Sequence, residues 1–200
     1  MKKLLITGFE PFGGEKINPS WEAVNLLPAE IGGYTLTKLR ISVVFGEAVE
    51  QVLHKAEELC PDVILCIGQA GGRSAITPEL VGINLRHGSI PDNAGQQPQD
   101  EPIDEGGAAA YFSPLPVRRM AEAIREAGIT AQVSYSAGAY VCNDVLYSLL
   151  SHFQGTETRV GFIHIPYVTE QNKEPSMAME EMLRGLTVAI EHLDASQKLG

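Results

Sequence analysis

The run DVILCIG, residues 62–68, constrains the fold more than any other stretch of the chain. Its apolar residues are continuous, not alternating, which is the pattern of a strand buried on both faces of a parallel sheet. Such a strand needs a helical layer on each side, and parallel neighbours need long crossovers. The rest of the chain supplies both. KKLLITG predicts a strand ending at Gly8. NPSWEAVNLLP follows as a helix capped at Asn18 or Ser20 and stopped by Pro28. YTLTKLRISV alternates and is rich in Thr and Ile, the signature of a second strand. In FGEAVEQVLHKAEELCPD, the residues Phe45, Val49, Val52, Leu53, Ala56 and Leu59 share one helical face, and Pro61 ends it.

Residues 69–115 interrupt this regularity and are rich in glycine and proline. Within them ITPELVGINLR reads as a strand and IPDNAGQQPQDEP as a loop. So long an irregular stretch points to function or to a hairpin excursion. Alternation then resumes. PVRRMAEAIREAG predicts a helix with Gly128 past its end. ITAQVSYS predicts a strand, followed by a helix beginning near Cys142. RVGFIHIPYV predicts another strand. EPSMAMEEMLRGLTVAIEHL predicts a last helix with a Met179, Leu183, Leu186, Ile190, Leu193 stripe, its methionines serving as core filler. The expected fold is a three-layer α/β/α sandwich around a mostly parallel twisted sheet. With 200 residues, a single domain over 1–200 is expected.

Charge narrows the partners. A net charge of -10 and a pI near 4.9 argue against nucleic acid or an anionic membrane surface. The opening MKKLLITG has too short an apolar run for a signal peptide, and no stretch is long enough to span a bilayer. Cys60, Cys66 and Cys142 fit neither a disulfide framework nor a zinc motif. Free thiols in a cytoplasmic protein are the expectation.

In open α/β sheets ligands sit at the carboxyl ends of the strands. There the sequence places TGFEPFGG, GQAGGRSAITPE, SAGAY and the end of GFIHIP. The first has glycines but no GxGxxG and no Lys-Ser/Thr pair, so it is not a phosphate loop of either known kind. It brings Phe9 and Phe12 into a turn; such rings usually plug a core. Cys66, between Leu65 and Ile67, reads as a packed core thiol. Cys60 lies at a helix end where the dipole is negative. Cys142 lies in a first helical turn, where free N–H groups and the positive dipole end favour a thiolate. It also shares a helical stripe with Leu146, Leu149, Leu150 and Phe153, and a lone cysteine on such a stripe is more often core.

A nucleophilic cysteine needs a base. His54 lies beside a polar helix face, His192 at the chain's end, and His87 in the irregular middle. His152 is about 15 Å along the helix that Cys142 starts. His164, near the carboxyl end of its strand, is best placed. Spacing leaves the orienting carboxylate open among Glu79, Asp92, Asp104 and Asp144.

TGFEPFGG, GQAGGRSAITPELVGIN, IPDNAG, SAGAYVCN and GFIHIPY occur in order, and together they resemble the pyroglutamyl peptidase I (pyrrolidone carboxyl peptidase) family of cysteine peptidases. The resemblance spans the chain up to about its last ten residues. It implies an exopeptidase that removes N-terminal pyroglutamyl residues from peptides and proteins, through a thioester acyl-enzyme and without metal or cofactor. It places the catalytic set at Cys142, His164 and Glu79, and the substrate pocket at Phe9, Phe12, Asn18 and Gln69. It also implies a homotetramer, for which the apolar AAAYFSPLPV offers a contact surface. One departure stands out: many members carry arginine directly before IPDN, where this chain has Ser89, with Arg86 three residues earlier. The rival readings are a phosphate- or nucleoside-binding α/β enzyme and a non-enzymatic small-ligand binding module.

Overall fold

The computed structural model describes residues 1–195. In chain order its elements are β1 (Lys2–Phe9), α1 (Pro19–Leu26), β2 (Glu30–Ile31), β3 (Tyr34–Ile41), α2 (Glu47–Leu59), β4 (Val63–Gln69), β5 (Thr77–Pro78), β6 (Val81–Ile83), β7 (Ala110–Phe112), α3 (Val117–Glu126), α4 (Val141–His152), β8 (Arg159–Ile165), β9 (Tyr167–Val168), a 3₁₀ turn (Thr169–Gln171), β10 (Ser176–Met177) and α5 (Met179–Glu191).

The main sheet has the order β2-β3-β1-β4-β8-β5. Its four central strands are mutually parallel, and the short β2 and β5 run antiparallel at the edges. Alternate residues of the central strands feed two cores. Leu4, Ile6, Leu65, Ile67, Ile163 and Ile165 pack with buried residues of α1, α3 and α5. Leu5, Ile64, Cys66 and Phe162 pack with those of α2 and α4 on the other face. The unbroken apolar pattern of VILCI follows from these two helical layers. The chain leaves β1 toward β3 through α1 and returns toward β4 through α2. The order therefore reverses beside β1 and β4, where a crevice opens at their carboxyl ends.

Several sequence expectations shift. ITAQVSYS is not a regular strand; it touches the segment after β4 only through the bridges Ile76↔Ala131 and Glu79↔Ser134. The backbone bonds Ile76–Thr130, Gln132–Ile76, Ser134–Pro78 and Leu80–Ser134 are all made. The missing rung is the one Pro78 would have donated, because proline has no N–H. ITPELVGINLR divides into β5 and β6. The last helix begins at Met179, because Ser176 and Met177 instead pair with β9. Phe45 precedes α2, behind Gly46 at a φ of 76°. Within 69–115, β6 pairs with β7, and Arg86 bridges Glu101 at the base of a hairpin. Among the described residues no helix is long and apolar enough to cross a membrane.

Close approach of α1 to β1 depends on Gly8. A Cβ there would lie 2.6 Å from the Trp21 Cα and 2.7 Å from the Ser20 carbonyl oxygen, both backbone atoms that cannot swing aside. Gly8→Ala should therefore lower stability by about 1–3 kcal/mol. Urea denaturation should show an earlier midpoint with an unchanged slope; an unshifted midpoint would contradict this packing.

Candidate active site

The crevice holds a cavity of about 410 Å³ lined by Phe9, Phe12, Asn18, Gln69, Arg73, Ser89, Ile90, Tyr140, Cys142 and His164, among others. A second cavity of about 430 Å³ lies at the opposite end of β8, between β7 and the end of α4. No cysteine, histidine or carboxylate lines that second cavity. Among the described residues no three His, Cys, Asp or Glu side chains cluster closely enough to hold a metal ion.

The register of β4 against β8 sets Gly68 opposite His164. Cys142, second residue of α4, comes down over this pair. A Cβ on Gly68 would meet the Cys142 Sγ at 3.0 Å and the Phe162 ring at 2.8 Å, so the bare glycine makes room for the sulfur. The His164 ring packs on Phe162 with centroids 4.7 Å apart. β5 pairs antiparallel with β8, which brings Glu79 alongside Phe162 through a backbone bond of 2.9 Å. From there the Glu79 Oε1 lies 2.7 Å from the His164 Nδ1. Nδ1–H thus donates to the carboxylate, leaving Nε2 for the thiol and substrate.

The other carboxylates weighed from sequence have separate work. Asp92 accepts from the backbone N–H groups of Phe45, Ala94 and Gln96. Asp104 accepts from Gly106 N–H in an exposed turn. Asp144 binds the Arg86 Nε at 2.7 Å and the Gly46 N–H at 2.8 Å. Arg86 is thereby engaged by Asp144 and does not line the cavity that Ser89 lines. The guanidinium that lines the cavity is instead Arg73, which sequence reasoning did not single out. Its Nη1 donates to Glu79 Oε1 at 2.7 Å.

The pocket residues expected from the resemblance meet at one place. Phe9 is buried against Phe162, and Phe12 is partly buried 6.2 Å from the Tyr140 ring. Asn18 caps α1: its Oδ1 accepts from the Ser20 N–H and hydroxyl, and its Nδ2 donates to the Glu10 carbonyl. Gln69, which lines the cavity, accepts at its Oε1 from the Gln171 amide at 2.9 Å, and its NH₂ makes no hydrogen bond among the described residues. At the start of α4 the Val141 and Cys142 N–H groups bond to no carbonyl among the described residues. Two donors are therefore available to a developing oxyanion.

Burial sets the resting charges. It pushes the Cys142 thiol up to about 12, and the nearby Glu79 carboxylate and Cys66 add to this; Arg73 opposes it. Burial also draws the His164 imidazole below its ordinary value, although Glu79 pulls it up. Burial alone would raise the Glu79 carboxyl, but His164, Ser134 and Arg73 hold it below the usual range. Burial thus opposes the ionisation expected at the helix start and favours a neutral thiol and a neutral imidazole at rest.

Cys142 and His164 line one cavity at the carboxyl edge of the parallel sheet, with Glu79 bonded to the imidazole, an arrangement found in α/β enzymes that use a cysteine nucleophile. A family model for pyroglutamyl peptidase matches residues 2–196. The chain is 53% identical over 195 residues to the pyrrolidone-carboxylate peptidase of Levilactobacillus brevis, covering 94% of this chain and 95% of that protein. It is 49% identical to the one from Thermococcus onnurineus, covering 94% and 96%. The crystal structure of Bacillus amyloliquefaciens pyroglutamyl peptidase I superposes with a TM-score of 0.93 at 44% identity, covering 98% of both chains. The chain belongs to the pyroglutamyl peptidase family of cysteine peptidases.

The neutral resting pair has a direct consequence. Alkylation of Cys142 by iodoacetamide, followed by peptide mass spectrometry, should keep accelerating well above the ordinary thiol range of about 8.5. A rate already level by about pH 8 would mean a resting thiolate.

Proposed function

We propose that this protein hydrolyses the amide bond that follows an N-terminal pyroglutamyl residue in peptides and proteins, with Cys142 as nucleophile, His164 as base and Glu79 as orienting carboxylate. The observation that carries this reading is the buried His164–Glu79 bond of 2.7 Å beside the Cys142 sulfur. His164 Nε2 takes the thiol proton as Sγ bonds to the scissile carbonyl carbon, whose oxygen becomes an oxyanion facing the α4 N–H groups. The C–N bond then breaks, and His164 returns the proton to the leaving amine. A thioester remains. Water attacks it with His164 again as base, releasing pyroglutamate and restoring the thiol.

The cavity suits a neutral lactam. Phe9 and Phe12 give apolar walls, the Gln69 NH₂ supplies a donor for the lactam carbonyl, and the remaining Asn18 amide hydrogen lies at the same wall. No carboxylate lines it. A glutaminyl terminus would bring an unpaired ammonium into this environment. A phosphate-binding role fits poorly, because the Arg73 guanidinium is already engaged by Glu79, Thr77 and Ser136. Free thiols, acidic charge and the family resemblance further support a cytoplasmic homotetramer acting without nucleic acid, membrane or metal.

Two experiments follow. With fluorogenic aminoacyl amides, the pyroglutamyl compound should be cleaved and the prolyl one disfavoured by roughly 10⁴-fold. Cys142→Ala should abolish turnover while Cys66→Ala keeps most of it. Turnover by the Cys142 variant, or equal rates on both amides, would sink the reading. Separately, light scattering at micromolar concentration should give four times the 21.6 kDa chain mass; a monomer would reject the assembly.

A further inference from the structure

Arg73 reaches the cavity from the loop after β4, yet its polar contacts lie behind the catalytic set. Gly72, at a φ of 84°, makes the turn that sends the chain back over the sheet edge. From Arg73, Nη1 donates to Glu79 Oε1 and to Thr77 Oγ1, each at 2.7 Å, and approaches Ser134 Oγ at 3.3 Å. Nη2 donates to the Ser136 carbonyl at 2.9 Å. The Glu79 oxygen it binds is the same one that holds His164 Nδ1. The other oxygen, Glu79 Oε2, is buried without a hydrogen-bond partner.

We propose, resting on the triad reading above, that Arg73 is a positioning residue: it clamps Glu79 onto His164 and ties that carboxylate to the 134–140 loop that delivers Cys142. Three features support this. A buried carboxylate facing a neutral imidazole is an uncompensated charge, and Arg73 is the cation that compensates it. Arg73 Nη1 and His164 Nδ1 converge on the same Glu79 oxygen, so the arginine holds that oxygen at the imidazole. The contact to Ser136 fixes the carboxylate relative to the segment entering α4, so base and nucleophile share one brace. The charged and titratable groups facing His164 are Glu79, Arg73 and Cys142. Those facing Cys142 are Glu79, Arg73, Cys66 and Tyr140, with His164 lining the same cavity.

The test compares Arg73→Met and Arg73→Lys with the wild-type full chain. One readout is the pH profile of kcat/KM on a pyroglutamyl amide. The other is the pH profile of Cys142 alkylation by iodoacetamide, which needs no turnover. The cation lowers both His164 and Cys142, so while Glu79 stays ionised its removal should raise both. Arg73→Met should lower kcat by roughly 10–100-fold with little change in KM. Its acid limb and its alkylation profile should both move to higher pH by about half a unit or more. Arg73→Lys keeps the charge and should restore both profiles, with part of kcat. A lowered kcat with both profiles unmoved would overturn the proposal, and so would a loss confined to KM. Should Arg73→Met not fold, by circular dichroism, the decision passes to Arg73→Gln against Arg73→Lys in the same two assays. A wild type inert toward the amide would refute the substrate reading, while the alkylation profiles would still decide for or against the clamp.

Discussion

Pairing of β4 with β8 sets everything the site does, because it fixes which face of the sheet His164 occupies. Side chains alternate along a strand, so a slip of one residue would send His164 to the α5 side and bring Ile163 or Ile165 to the cavity. The two-sided core makes such a slip costly. Phe162 belongs with α4, and Ile163 and Ile165 belong with the opposite helices. The same register sets Gly68 beneath the Cys142 sulfur and lets β5 carry Glu79 to the imidazole. Catalytic geometry here is a by-product of core packing, which explains how side chains far apart in sequence meet without a dedicated scaffold.

Burial and local fields act in opposite directions at this edge. A helix N-terminus contributes about half a positive charge that fades within a turn. Desolvation of the Cys142 thiol, with Glu79 and Cys66 nearby, works in the opposite direction. A neutral pair suits the proposed chemistry. The proton moves as the sulfur bonds, and the charge that develops on the carbonyl oxygen falls where the α4 N–H groups point. Glu79 remains ionised in spite of its burial because His164, Ser134 and Arg73 surround it.

The layered fold was legible because its signals are local and redundant: unbroken apolar strands, caps at Asn18 and Gly128, stops at Pro28 and Pro61. Where the reading slipped, a single backbone fact decided. Pro78 cannot donate, so ITAQVSYS lies alongside its neighbour without forming a ladder, although its composition suits a strand. Placement at element ends singled out Cys142 and His164, although its helical stripe alone would have made the cysteine core, and the structure brings both to one cavity. The orienting carboxylate was not, because spacing cannot say which of four acids the chain folds back onto the imidazole; family resemblance pointed to Glu79. Arg73 passed unnoticed because one arginine in a glycine-rich loop carries no periodic signal. Its clue was the company it keeps: a cation just past two glycines, at the carboxyl end of a buried strand, six residues before an acid.

The irregular stretch of the chain acts as wall more than as lid. Asp92 ties the hairpin above Arg86 to Phe45, and Tyr140 O–H donates to the Pro91 carbonyl. Asn93 donates to Glu10 Oε1 and to the Pro11 carbonyl, at the root of the Phe12 turn. Arg86 closes on Asp144, two residues after the cysteine. The 86–93 side of the cavity is thus linked by hydrogen bonds to the segment that carries Cys142 and to the turn that carries Phe12. A pocket braced in this way meets a small rigid lactam with little left to order, which favours discrimination by shape and polarity over capture by charge.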